Sequence, residues 1–197
     1  MIFNKAKLKV LNRGSAPEEF LKEMVIWART ASDYFFAPND VFDIYSKTKP
    51  ELGPWRDILH RKAAMLEVMR VLAGFESSWD WTEGVDTSRL GSDTPENSEA
   101  GAWQVSYDAR HLHPSLSAWL KDQGINNGII FQRKMKFDHP LAMEFIVRLL
   151  RINTKHNGPL YKGDERLIIR KSLRGEEHSI YPWLNREAVE EFRIQLS

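Results

Sequence analysis

The sequence predicts a mainly α-helical fold built as a single domain. Its 197 residues are enough for one sizeable core and too few for two domains of ordinary size. Apolar side chains recur every three or four residues in several long segments, which is the spacing of a helix with one buried face. Hydrophobic residues make up 42% of the chain, so a helical domain of this length can bury a core.

The N-terminal part is expected to be a helical extension, residues 1–55. Ser15 and Glu18 have the spacing of a capping box, which predicts a helix over 18–35 with apolar residues on one side. Three prolines and one glycine in 37–40 and 47–54 then predict breaks in the chain.

The central part, residues 56–160, begins with the longest predicted helix. Residues 56–75 carry an apolar stripe of Leu59, Ala63, Leu66, Met69 and Leu72, and Glu76 follows directly. Residues 82–100 are polar and contain glycine and proline, which predicts a loop or a short hairpin region. Loops of that length are uncommon in compact domains unless they carry function.

Further helices are expected toward the C-terminus, including the segment 161–197. The patterns predict them at 115–123 before Gly124, at 140–157 before Gly158, at 186–196 after Asn185 and, from a less regular pattern, at 164–175.

Charge and composition argue against several classes of function. Lys and Arg number 28 against 27 Asp and Glu, so there is no overall field to attract a polyanion, and we expect no nucleic-acid partner. The basic clusters at 131–136 and 168–174 are typical of solvated helix faces. The chain has no cysteine, which excludes a disulfide framework and a thiol nucleophile.

Neither a cofactor nor insertion into a membrane is expected. His111 and His113 alternate without a further ligand at a recognisable spacing, so we predict no metal site. No Gly-x-Ser-x-Gly elbow surrounds Ser77 and Ser78. The first 14 residues lack the apolar run of a secretory signal, and no stretch approaches the ~20 apolar residues of a membrane span.

Glu76 is the residue whose chemistry stands out. Phe75, Trp79 and Trp81 surround it in the sequence, and burial among aromatics holds the proton of a carboxyl more tightly. A carboxylic acid that keeps its proton near neutral pH can protonate the leaving oxygen of a glycosidic bond. These tryptophans and Trp103 could line a groove for sugar rings, or they could be core residues.

Three short segments together resemble the lysozyme superfamily, most closely goose-type lysozymes and soluble lytic transglycosylases. In that family a helix ends in Glu-Ser, a polar hairpin region follows, then a Gly-x-x-Gln-[Val/Ile] segment and later a Tyr-Asn-Ala-Gly piece. The matching positions here are Glu76-Ser77, Gly101 with Gln104-Val105, and His156-Asn157-Gly158. Histidine replaces the usual tyrosine in the last piece, and one small residue before the glycine is missing.

The resemblance implies a goose-type lysozyme-like domain, with a hairpin region between the catalytic helix and the Gly-x-x-Gln segment. It implies a muramidase that cleaves the β-1,4 bond between N-acetylmuramic acid and N-acetylglucosamine in peptidoglycan, with Glu76 as the general acid. The substrate-binding residues that it implies are Ser77, Trp79, Gly101, Trp103, Gln104, Ser106, His156 and Asn157.

The second carboxylate is ambiguous in the sequence, because Ser106 stands where goose-type enzymes have an aspartate. Four carboxylates of the hairpin region could orient the attacking water: Asp86, Asp93, Glu96 and Glu99. By their distance from Gly101, Asp93 and Glu96 come nearest to the family's position, and we select Asp93. Without a second carboxylate, Glu76 would act as acid and then as base, as in lytic transglycosylases. The sequence is also compatible with a catalytically inactive glycan-binding module and with a helical adaptor that has no sugar site.

A wall-cleaving enzyme without a signal peptide needs another route of export. The chain resembles phage lysins and, more closely, the glycoside hydrolase effectors of type VI secretion systems. That resemblance implies synthesis in the cytoplasm, action in the periplasm of a target cell and an immunity protein that blocks the groove there. We expect the chain to be a monomer.

Overall fold

The structure, a computed structural model, is mainly helical and describes residues 1–10, 12–84, 94–152, 160 and 183–197. Its α-helices are α1 (Glu18–Thr30), α2 (Ile44–Leu52), α3 (Ile58–Ser77), α4 (Pro114–Asp122), α5 (Gly128–Phe137), α6 (His139–Ile152) and α7 (Arg186–Leu196). Short 3₁₀ helices cover Asp33–Phe35 and Tyr107–Leu112. These ranges contain no β-strand, only an isolated antiparallel bridge between Ala100 and Val105. The mainly α class is confirmed.

Helix α3 is the centre of the molecule. Its residues from His60 to Gly74 are all buried, because α1 and α7 pack against it and the N-terminal segment covers it. The single apolar stripe predicted for this helix therefore understates its burial. The helix ends at Ser77, so it carries Glu76 to the edge of the core.

A buried ion pair on α3 joins the two ends of the chain. Arg70 donates from Nε and Nη2 to the Glu67 carboxylate, both at 2.7 Å, and both side chains are almost fully enclosed. Arg70 Nη1 also donates to the Leu8 carbonyl at 3.1 Å, and Glu67 accepts the Asn185 N–H at 2.9 Å. Each charge has a partner of opposite sign and a further hydrogen bond, and these interactions offset the cost of removing the two charges from water.

Several predicted helix ends are correct and two predictions are wrong. Helices α4 and α7 begin and end within one residue of the sequence prediction. The capping box at Ser15 is wrong: Pro17 is the N-cap of α1, no side chain caps it, and α1 ends at Thr30. The break predicted over 47–54 is wrong in its first part, since α2 runs through Pro50, and correct at its end, where α2 stops at Leu52 before Gly53 and Pro54.

The physical reason for the second error is a cap earlier in the chain. Asp43 accepts the N–H groups of Tyr45 and Ser46, and the Ser46 hydroxyl in turn accepts the Asp43 N–H, which completes a capping box. Pro50 removes one intrahelical hydrogen bond, and α2 ends soon after it, at Leu52. The predicted end of the 140–157 helix and the whole of 164–175 lie outside the described residues.

No helix within the described ranges is both long enough and apolar enough to cross a membrane.

Candidate functional site

The candidate site forms where α3 ends and the chain reverses. Ser78 and Trp79 have φ values of +57° and +65°, in the left-handed region that terminates a helix. The Trp79 ring folds back onto α3, where its Nε1 donates to the Arg70 carbonyl at 2.8 Å. A Cβ on Gly74 would lie 2.6 Å from this ring, so the absence of a side chain there admits it. The reversal leaves Glu76 half-buried at the helix end.

Ser77 ties the end of α3 to the Gly-x-x-Gln segment. Its hydroxyl is hydrogen-bonded to the Ala102 carbonyl at 2.8 Å and accepts the Asp80 N–H at 3.0 Å. The resemblance implies that Ser77 binds substrate, but the structure buries it and gives its hydroxyl these internal partners. It holds the two segments in register.

The Gly-x-x-Gln segment is a tight turn closed by the bridge between Ala100 and Val105. The two backbone hydrogen bonds of that bridge measure 3.1 and 3.3 Å. Gly101 has φ +75°, and a Cβ there would lie 2.7 Å from the Met135 carbonyl oxygen of α5, so the position requires glycine. Gln104 Nε2 donates to the Gly101 carbonyl at 2.9 Å. Both residues therefore build the turn, and Gln104 is largely buried.

The surroundings of Glu76 favour its protonated form. Burial, the larger cause, and the nearby Glu99 carboxylate raise the pKa of Glu76 from 4.5 to about 7, while Arg13 acts in the opposite direction. Among the described residues, no side chain or N–H group hydrogen-bonds the Glu76 carboxyl. A half-buried carboxyl of this kind can hold and release a proton near neutral pH.

The structure identifies Glu99 as a carboxylate that acts on Glu76. Glu99 belongs to the hairpin-region residues considered from the sequence, and its side chain is exposed. Asp93, the residue selected there, lies outside the described residues, as do Asp86, His156 and Asn157, so these predictions stay untested. Arg13 is a site residue that sequence reasoning missed, because nothing in the sequence around it indicates proximity to Glu76.

Two of the three tryptophans considered for a sugar groove are core residues. Trp79 and Trp103 are only 4% and 2% exposed, and the Trp103 N–H is bound to the Met69 carbonyl at 2.9 Å. Both side chains therefore pack in the core, the alternative that the sequence left open, and their role in substrate binding stays a prediction. Trp81 is half-buried and stacks on His139, with ring centroids 3.9 Å apart and an angle of 7° between the planes.

The remaining predicted residues are placed as follows. Ser106 is half-buried at the N-cap of the 3₁₀ helix Tyr107–Leu112 and makes no side-chain capping bond. His113 caps α4, where its Nδ1 accepts the Ser115 N–H at 3.2 Å. In the described part of the chain, no three His, Cys, Asp or Glu side chains are grouped closely enough to hold a metal ion.

Comparisons of the chain with protein families, with curated proteins and with solved structures find no match.

Proposed function

We propose that this chain is a peptidoglycan glycoside hydrolase with a lysozyme-like fold. It acts as a muramidase on the β-1,4 bond between N-acetylmuramic acid and N-acetylglucosamine, with Glu76 as the general acid. The observation that carries the proposal is the position of Glu76, half-buried at the end of α3 with a pKa raised to about 7. The resemblance of the three short segments to the lysozyme superfamily supports the choice of substrate.

The proposed chemistry uses two carboxylates in different environments. Glu76 donates its proton to the glycosidic oxygen as the bond breaks, which requires a carboxyl that is still protonated near pH 7. Glu99 is exposed, and in its ionised form it orients the water that attacks the sugar. Arg13 favours the ionised form of Glu76 and so limits the rise of its pKa.

A lytic transglycosylase is the second candidate. A carboxyl with a pKa of about 7 is suited to taking a proton back as well as giving it away, which is what this reaction asks of one residue. Glu76 would then act as acid and afterwards as base, and a hydroxyl of the muramic acid itself would close an anhydro ring.

Mass spectrometry of digested peptidoglycan tests the proposal. The wild-type chain, Glu76→Gln and the matched control Glu83→Gln are incubated with purified sacculi, and the released fragments are identified. We expect reducing muramic acid ends from the wild type and from Glu83→Gln, and none from Glu76→Gln. Anhydro ends would instead support the transglycosylase, and binding without any release would support an inactive glycan-binding module.

We also propose that the chain acts in the periplasm of a target cell as a secreted antibacterial effector, as the family resemblance implies. In a Gram-negative host, the chain fused to a periplasmic signal peptide should lyse the cells, whereas the unfused chain and the Glu76→Gln fusion should not. Toxicity of the unfused chain alone would contradict a wall target. An immunity protein that covers Glu76 would protect cells that carry the toxic fusion.

A further inference from the structure

Helix α5 carries a stripe of side chains at its surface, formed by Ile129, Arg133, Lys136 and Phe137, of which Lys136 is half-buried and the others are exposed. Their spacings of four, seven and eight residues place them on one side of the helix. Ile129 is 68% exposed and Phe137 is 69% exposed. Large apolar side chains that alternate with cations at a surface are typical of a binding face.

The stripe carries two positive charges that the rest of the described protein does not neutralise. Lys134, the other cation of this region, is bound to Asp138 at 2.8 Å. Arg133 and Lys136 form no ion pair and no side-chain hydrogen bond with any other described residue. The net charge of the whole chain is only +1, so these two neighbouring unpaired cations are a local feature of α5 and not part of a general positive field.

A groove of about 540 Å³ opens beside the stripe. Its lining combines apolar and charged side chains: Ile130, Arg133, Lys134, Phe137, Asp138 and Pro140. A ligand here would meet one unpaired guanidinium next to an aromatic ring.

The stripe adjoins the candidate site. The Met135 carbonyl of α5 packs against Gly101, as described above, and Gln132 Nε2 donates to the Pro95 carbonyl at 2.9 Å. The Lys136 ammonium lies 3.4 Å from the position that a Cβ on Gly84 would occupy. Helix α5 thus supports the segments on either side of the hairpin region, and Lys136 brings one end of the stripe next to Gly84.

We propose that the stripe binds the peptide side chains of the peptidoglycan strand whose glycan occupies the Glu76 site. Arg133 and Lys136 would pair with free carboxylates of these peptides, and Ile129 and Phe137 would pack on their apolar parts. This inference rests on the proposed function. A peptide fits better than an anionic lipid surface, because the stripe offers two cations, fewer than the roughly 4–8 that basic lipid-binding clusters carry.

Co-sedimentation with sacculi tests the inference, in a Glu76→Gln background that removes cleavage. The stripe variant is Arg133→Glu with Lys136→Glu, and the matched control is Lys9→Glu with Lys121→Glu, which changes the same charge at exposed positions elsewhere. We expect the dissociation constant of the stripe variant to rise about tenfold and that of the control to stay within about twofold. Melting curves verify that both variants fold, since Lys136 is half-buried whereas Arg133 and the two control lysines are exposed.

Two further substrates decide what the stripe recognises. With glycan strands stripped of their peptides by an amidase, the stripe variant and the control should bind equally. The proposal would be overturned if the stripe variant bound intact sacculi as tightly as the control does. It would also be overturned if the stripe variant lost as much affinity for stripped strands as for intact sacculi. Loss of binding only to phosphatidylglycerol vesicles would overturn it in favour of a lipid surface. Digestion by the wild-type chain tests the Glu76 site without these variants, so its failure is distinguishable from failure of the stripe.

Discussion

The Glu99 carboxylate lies close enough to Glu76 to raise the pKa of the Glu76 carboxyl, and Arg13 lies close enough to lower it. The three residues come from the hairpin region, from the end of α3 and from the N-terminal segment. The proton affinity of the candidate acid therefore depends on how these three parts of the chain are held together.

The N-terminal segment that carries Arg13 is bonded to α7. The Glu191 carboxylate of α7 accepts the successive N–H groups of Asn4, Lys5 and Ala6 at 2.6, 2.9 and 2.7 Å. Further along, the Val10 N–H donates to the Gly14 carbonyl at 3.0 Å. The segment thus contributes a residue to the candidate site and also packs over the core.

Replacing Glu76 by glutamine should strongly reduce wall cleavage while the fold survives. Glutamine keeps the shape of the side chain and removes the transferable proton, so turnover should fall by roughly 10²–10⁴-fold. Turbidity clearing of cell walls measures the activity, and a thermal melt verifies folding. A folded Glu76→Gln protein with near-native activity would show that the acid lies elsewhere.

The same substitution should change how stability depends on pH. The folded-state pKa of Glu76, about 7, is above its usual 4.5, so the folded protein binds this proton more tightly than the unfolded chain does. That stabilisation is fully present below about pH 4.5 and is lost as the pH rises towards 7, by at most about 3 kcal/mol. The free energy of unfolding of Glu76→Gln, minus that of the wild type, should therefore be larger at pH 8 than at pH 4. Urea unfolding at the two pH values measures it. A difference that does not vary with pH would contradict the raised pKa.

Local signals explain which parts of the fold the sequence predicts well. Helix α7 begins where expected because its cap is adjacent in the chain: Asn185 accepts the N–H groups of Glu187 and Ala188. Pro50 misleads because the capping box that sustains α2 lies a full turn or more before it. Patterns within a few residues predict helix ends. They do not show whether the stabilisation by a cap several residues away exceeds the cost of a proline.

The candidate site shows the same limit. Aromatic neighbours in the sequence predict an enclosed environment for Glu76, and the structure leaves this residue half-buried. The roles of Trp79 and Trp103 could not be deduced from them, because the left-handed turn at Ser78 directs Trp79 into the core and not into a groove. Arg13 reaches Glu76 only through the tertiary path of the N-terminal segment, which no local pattern encodes.

Removing the charge of Glu99 should move the alkaline limb of the pH–activity profile to lower pH. Glu99 raises the pKa of Glu76, so Glu99→Gln lowers that pKa and the acid loses its proton earlier as the pH rises. The profile of kcat/KM on soluble glycan fragments locates this limb independently of the maximal rate. Glu96→Gln, a change of the same charge in the same segment, is the control and should leave the limb in place. An unchanged limb in Glu99→Gln would mean that its charge does not reach Glu76.

Removing the charge of Arg13 should have the opposite effect. Arg13 lowers the pKa of Glu76, so Arg13→Gln raises it and shifts the alkaline limb to higher pH. Arg13→Lys retains the charge and should keep the limb near its wild-type position. If glutamine and lysine shift the limb equally, Arg13 acts through packing and not through its charge.

Two glycines with nearly the same backbone conformation separate strain from close packing. Gly101 and Gly124 have φ values of +75° and +70°, so alanine is strained at both, by about 1–2 kcal/mol. A Cβ on Gly124 meets nothing within 4 Å, whereas one on Gly101 would lie 2.7 Å from the Met135 carbonyl oxygen. Gly101→Ala should therefore lower the free energy of unfolding by more than Gly124→Ala does, as urea denaturation measures.

Gly101→Ala should also reduce wall clearing by the folded fraction, because moving the turn displaces the Ala102 carbonyl to which Ser77 at the end of α3 is bonded. Equal destabilisation and equal activity in the two variants would show that α5 yields to the added methyl group and that the turn does not need this contact to hold the end of α3.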